Sequence, residues 1–260
     1  MNRPVARRIN VLGAAVFVLA LGLWELLVRT SILDFAYLPP PTVVAQGLGE
    51  LVSSGELGEA LGHTLFAALS GWALAALAGV AAGSVLGLVR PVWMYSMASL
   101  EALRALPIVA FVPVAVLLFG FSVQTEIMVA FYAALWPILL NTISGMRTEP
   151  RMLESGAVLR LSRAAVLWKI RLPGATAMIV VGLRLGLSVS LVLTLVAEMV
   201  GNPAGLGFLL VEKGQALQPG QMFAAVFVIG VTGIILNALV MGAARLAFRG
   251  QMASSGEVSS

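Results

Sequence analysis

Two charged side chains, Arg184 and Glu198, fall inside one apolar run, residues 175–200. Arg184 lies about nine residues past Ala175, on the order of 14 Å into a hydrocarbon core of about 30 Å. A guanidinium at that depth faces the bundle interior or water. Its five N–H donors and fixed charge suit it to hold an anion, not to make or break bonds. Two readings stay open: a positive element lining an anion path, or a structural arginine bonded to backbone carbonyls or to an acid. On one helix Glu198 would stand about 21 Å away, so a partner for Arg184 is expected from another element. Glu198, near the outer end of the run, is placed where water reaches it and is the second path-lining candidate. Asn237, in the last apolar run, reads as an interhelical hydrogen-bonding group. His63, at the entrance of another run, reads as an interfacial helix-end residue.

Groups for covalent or metal chemistry are scarce. The chain has no cysteine and one histidine, which excludes disulfides, thiolate chemistry and clustered-histidine metal sites. Neither lysine, Lys169 or Lys213, follows a glycine-rich run, and no G-x-x-x-x-G-K-[ST] loop exists. Any use of ATP is therefore expected on another chain. Ser70-Gly71 lacks the surroundings of a nucleophile elbow. No catalytic, cofactor-binding or metal-ligating residue is assigned, and the chain reads as a non-enzyme.

What must hold Arg184 in lipid is legible in the composition. Of 260 residues, 60% are hydrophobic and 11% charged, with mean hydropathy +0.99. Soluble domains carry about 25% charge, so this chain cannot cover a globule with polar surface. It reads as an integral membrane protein. Six spans are expected, at 10–28, 64–89, 103–120, 126–146, 175–200 and 222–247, the third kinked by Pro107 and Pro113. The first follows Arg3, Arg7 and Arg8 but lacks a small-x-small cleavage site, and reads as an uncleaved anchor.

Basic residues mark the cytoplasmic side. With the N-terminus inside, Arg3, Arg7, Arg8, Arg90, Arg104, Arg147, Arg151, Arg160, Arg163, Lys169, Arg171, Arg245 and Arg249 fall inside, against Arg29 and Lys213 outside. The expected fold is all-α and polytopic, with both termini cytoplasmic. Basic residues are dispersed between apolar blocks, not gathered in the stripe that nucleic acid needs. In the external segment 29–63, Pro39-Pro40-Pro41-Thr42 leads into Val43, Val44, Gly47, Leu48 and Leu51 at helical spacing. That pattern fits an interfacial helix on the bilayer or a partner-binding helix. Ala67, Gly71, Ala75, Gly79, Gly83 and Gly87 recur every four residues along the second span, a strip for close helix packing. Gly182 and Gly186 repeat it in the fifth.

The connection 149–173 is long, basic and cytoplasmic. Pro150 suits a helix start and Ser162 a second helix cap. Leu153, Gly156, Ala157 and Leu161 give a mainly apolar face among arginines, which needs either anionic lipid or a partner to cover it. This segment resembles the EAA loop of binding-protein-dependent ABC transporter permeases. Glu154 matches the acid, Ser155 and Gly156 replace the two alanines, and Leu159 matches the leucine before the family glycine. Ser162 and Arg163 match a common following pair, and Ile170, Leu172 and Pro173 the ending. Arg160 departs from the pattern, standing where the family has glycine.

Nearly the whole chain is similar to the nitrate/sulfonate/taurine-type subfamily: Leu38 to Thr42, His63-Thr64-Leu65, Leu106-Pro107, Val112-Pro113, Phe119-Gly120, Gly182-Leu183-Arg184, Ala197-Glu198-Met199 and Gly205-Leu206-Gly207. The resemblance implies a permease subunit of an importer in a prokaryotic cytoplasmic membrane. It implies two ABC ATPase subunits, a second permease copy (a homodimer is expected) and an extracytoplasmic solute-binding protein. It also implies ATPase coupling through Leu153, Glu154, Gly156, Ala157, Leu159, Leu161, Ser162 and Arg163. Residues 1–63 are expected to be an anchor helix and external loop, 64–250 the permease core and 251–260 a polar tail. The solute class is a small anion such as a sulfonate, taurine or nitrate. A self-contained secondary anion transporter is the alternative.

Overall fold

The computed structural model describes residues 11–32, 35, 37–147 and 161–247. Among these the regular structure is helical, with no strand. In chain order the helices are α1 (Val11–Arg29), α2 (Pro41–Ser53), α3 (Glu56–Leu88), α4 (Arg90–Arg104), α5 (Phe111–Phe119), α6 (Val123–Met146), α7 (Leu172–Val200), α8 (Gly205–Gln215) and α9 (Pro219–Ala247). Among the described residues, four helical segments are long and apolar enough to cross a membrane: α3, α6, Leu167–Val200 and most of α9. A fifth counts if α4 and Ile108–Phe119, bent by 73°, form one span. The expected kink of the third span thus lies at residues 105–107 and is sharper than one proline turn. Leu106 precedes Pro107, which disfavours helical geometry there. The residues expected to connect the second and third spans are themselves mostly the helix α4. The expected first span is the 19-residue α1.

The chain divides into two compact units, Met1–Gly58 with Leu209–Val228, and Glu59–Phe208 with Ile229–Ser260. In the first unit, Pro41 opens α2 and leaves the Thr42 N–H without a helical acceptor. Glu25 of α1 accepts that N–H at 3.0 Å and the Thr42 hydroxyl at 2.8 Å, and Arg29 pairs with the same carboxylate. The Gly47–Leu51 face of α2 is buried in the protein. A Cβ on Gly47 would stand 2.5 Å from the backbone of Gly220, so α2 packs this face on its own chain. Glu50 accepts from Gln221 at 2.7 Å beside it.

The second unit is built on α6. The small-residue strip of α3 lies against it: added Cβ atoms would meet Ala130 from Gly71, Ile138 from Gly79, Thr142 from Gly83 and Met146 from Gly87. The numbering offset is the same in all four pairs, so α3 and α6 run parallel and in register. On another face of α6, Gly182 and Gly186 of α7 bring their backbone against Asn141 and Ile138. Apolar layers complete the packing, Val112, Ala115, Val129, Ala133, Leu193 and Ala197 joining α5, α6 and α7. Ala68, Leu187, Leu191 and Leu236 join α3, α7 and α9.

Gly71 gives a direct check. A Cβ there would stand 2.5 Å from the Ala130 Cβ and 2.7 Å from the Ile127 carbonyl oxygen. Backbone does not yield as a side chain does, so Gly71→Leu should destabilise by at least the ~1–3 kcal/mol typical of overpacking. Gly62→Leu, where nothing lies within 4 Å of the added Cβ, should cost far less. Equal melting temperatures for the two purified variants would refute this packing.

Candidate functional site

Arg184 is positioned by its neighbours on α7. Gly182 and Gly186 press one helix face onto α6, and the Trp72 indole N–H of α3 donates to the Leu183 carbonyl at 2.9 Å. At about 100° per residue, Arg184 is then turned roughly opposite to Gly182. It meets α9, where its Nε–H donates to Asn237 Oδ1 at 2.6 Å. The partner thus comes from another element, as expected, and Asn237 makes the interhelical bond read from the sequence. Both residues line a cavity of about 690 Å³ between α7 and the 229–237 stretch of α9. The rest of its wall is Ser188, glycine and aliphatic side chains, and Arg184 is the one charged residue among the described wall.

Glu198 stands elsewhere. Its side chain is 0% exposed, so water does not reach it as the sequence suggested. Its Oε1 accepts the Thr64 hydroxyl at 2.7 Å and its Oε2 accepts the Gly207 N–H at 2.8 Å. The Leu206 N–H donates to the Thr64 oxygen at 2.8 Å. The carboxylate therefore sits on the N-terminus of α8, where unpaired N–H groups and the helix dipole favour negative charge. Gly205, at φ +91°, makes the turn that brings these N–H groups in.

His63 lies inside α3, two turns past its start. Its Nε2 is 2.8 Å from Glu126 Oε2 of α6. Glu126 is also 0% exposed, and Asn202 donates to its Oε1. Ligand atoms of His63, Glu126 and Glu198 lie within 4.8 Å of one another, a spacing that would suit a metal ion. Each of the four carboxylate oxygens already has a protein partner, so the arrangement closes on itself as a polar clasp. It ties α3, α6, α7 and the 201–207 turn. No local pattern announces this grouping, because its bonds from α3 to the other elements join residues 63 to 142 positions apart. One signal was available: Glu126 is a lone acid in the first turn of a long apolar helix.

Of the expected coupling residues, Leu153, Glu154, Gly156, Ala157 and Leu159 lie outside the described residues, as does Arg160. Leu161 is half-buried and Ser162 exposed. Ser162 Oγ accepts the Ala165 N–H at 3.2 Å, capping the short helix Arg163–Val166 as its sequence predicts. Leu167–Arg171 then widens to a π-helical turn directly before Pro173, which has no N–H for a regular ladder.

Several long apolar helices packed on one another are the build of a multi-pass membrane protein. Residues 75–251 match the family described as binding-protein-dependent transport system inner membrane component, and the chain belongs to that family. It is 28% identical over 242 residues to the nitrate import permease protein NrtB of Leptolyngbya laminosa, covering 90% of this chain and 86% of the relative. It is 28% identical over 240 residues to the taurine transport system permease protein TauC of Escherichia coli K12, covering 90% and 87%. A bicarbonate transport system permease protein, CmpB of Synechococcus elongatus, is 33% identical over 172 residues, covering 65% and 62%. Among solved structures, the inward-facing MetNI methionine ABC transporter has the same fold, with TM-score 0.54 and 18% identity over 81% of this chain and 97% of that one.

Proposed function

We propose that this chain is the permease subunit of a prokaryotic ABC importer and forms the path for a small oxyanion. One observation carries the reading. Within a family of inner-membrane transport components, this member opens a cavity whose one described charged wall residue is Arg184. The relatives named for nitrate, taurine and bicarbonate support an anionic cargo. Of the two expected path residues, Arg184 keeps that role. Glu198 is enclosed and satisfied, and serves the clasp. The partners are two ATPase subunits, a second copy of this chain and an external solute-binding protein, with residues 150–172 docking on the ATPase.

Vesicles carrying the permease with its ATPase and binding protein should accumulate the anion only when ATP is supplied on the ATPase side. Uptake by this chain alone under an ion gradient would instead establish a secondary transporter.

The membrane orientation has both termini and segment 147–173 in the cytoplasm and residues 30–60 outside. The asymmetric distribution of basic residues between the two sides supports it. Single-cysteine labelling is clean in a chain without cysteine. Ser162→Cys should react with an impermeant maleimide only in inside-out vesicles. Reaction in intact cells would reverse the orientation.

A further inference from the structure

The clasp holds more negative charge than its surroundings cancel. Glu126 and Glu198 are both 0% exposed, and an oxygen of each lies within 4.8 Å of the other and of a His63 ring nitrogen. Glu126 stands in the first turn of α6, and Glu198 accepts an N–H at the start of α8. Each carboxylate thus draws on a helix N-terminus worth roughly half a positive charge. About one negative charge is left over. No lysine or arginine among the described residues pairs with either acid, and Lys213 is engaged by Glu56 at 2.6 Å and Glu212 at 4.0 Å. On α3 itself Glu59, one turn before His63, is an exposed acid and adds no positive charge. The 201–207 turn contributes the neutral amide of Asn202 and backbone N–H groups. Within the described clasp the missing charge can come only from His63.

His63 is set up to take a proton. A carboxylate only accepts, so the Nε2 that lies 2.8 Å from Glu126 Oε2 carries a hydrogen. The other ring nitrogen, Nδ1, has no protein partner among the described residues, and the side chain is 23% exposed, so water reaches the ring. We infer that the clasp is a proton-operated latch. A proton taken from water onto Nδ1 turns the His63–Glu126 hydrogen bond into an ion pair, which cancels the surplus charge and tightens α3 against α6. Return of that proton to water leaves two buried carboxylates facing each other with too few positive groups, and the latch loosens. A closed latch therefore binds the proton more strongly than an opened one, in which Glu126 meets water. By linkage, the latch is strongest at low pH and weakens as pH rises through the imidazole range, roughly pH 5 to 8. This property is independent of what the permease carries.

The chain's composition makes the test clean. It has one histidine and no cysteine, so between pH 6 and 8.5 the groups that ordinarily titrate are His63 and the α-amino group. The full-length permease, prepared without a polyhistidine tag and placed in lipid nanodiscs, is melted at both pH values. A tenfold weaker latch at pH 8.5, about 1.4 kcal/mol, should lower the melting temperature by about 3–6 °C. His63→Gln and Glu126→Gln should each abolish that difference, whereas Glu59→Gln should keep it. Nitrogen NMR of the wild-type protein labelled in its single histidine needs no variant: both ring nitrogens should be protonated at pH 6, and only Nε2 at pH 8.5. Equal melting of the wild type at the two pH values, or a ring that is already neutral at pH 6, would overturn the latch. So would a pH difference that survives in His63→Gln, which would place the titrating proton on another group.

Discussion

Gly205→Val should leave little or no folded protein. At φ +91° a β-branched residue is a steric outlier, and an added Cβ would overlap the Glu198 carboxyl group. Displacing that carboxylate removes the acceptor of the Gly207 N–H and of the Thr64 hydroxyl inside a fully buried site. Backbone strain of ~1–3 kcal/mol adds to ~1–3 kcal/mol for each buried group left unpaired. The sum is comparable to the whole stability of many domains. Thermal unfolding in detergent, or the yield of monodisperse protein, reads the effect. Gly205→Ala should show a smaller loss, and pairing it with Glu198→Ala should cost less than the two single changes added together, because the second removes the group that the first strikes. A Gly205→Val protein that melts with the wild type would show that neither the turn nor the clasp matters to the fold.

Gly156→Trp should separate the permease from its motor while leaving it in the membrane. We propose that Leu153, Gly156, Ala157 and Leu161 share one face of a cytoplasmic helix, and helix-in-groove docking requires close approach at its smallest residue. A tryptophan there holds the helix off by several ångströms, and co-purification of the ATPase and transport-coupled hydrolysis should both fall to background. The chain's own insertion and melting should be unchanged, because the proposed topology puts the segment outside the bilayer. Deletion of residues 152–165 should give the same uncoupling. A fully coupled complex with either change would mean that the motor grips another surface.

Periodic features were legible in the sequence and relational ones were not. A strip of glycine and alanine every four residues in α3 announces a close neighbour whatever that neighbour is. Arg184 in an apolar run announces a partner on another element, and Asn237 is there. The identity of the neighbour, α6, and of the partner, Asn237, depends on which distant helices meet, and no local pattern encodes that. The clasp illustrates the limit. His63 alone reads as an interfacial helix-end residue and Glu198 alone as an acid that water reaches. Their roles exist only because Thr64, Asn202 and the 205–207 turn arrive from elsewhere to supply donors. The break at residues 105–107 was legible as a proline, but its 73° angle was not, since the angle is set by what the two halves pack against.

The register between α3 and α6 limits how this part of the molecule can move. Gly71, Gly79, Gly83 and Gly87 each accept one side chain of α6 at backbone distance. A slip of one or two residues would set Ile138, Thr142 and Met146 against larger neighbours on α3. The next permitted position lies a full four residues away, about 6 Å along the axis. Sliding is therefore blocked in small steps, and the two helices behave as one beam. Whatever displacement opens and closes a path beside them must swing that beam whole or bend the chain outside it. Mechanical compliance then falls to the sharply broken segment around Pro107, the natural place to look for a hinge when the protein is trapped in different states.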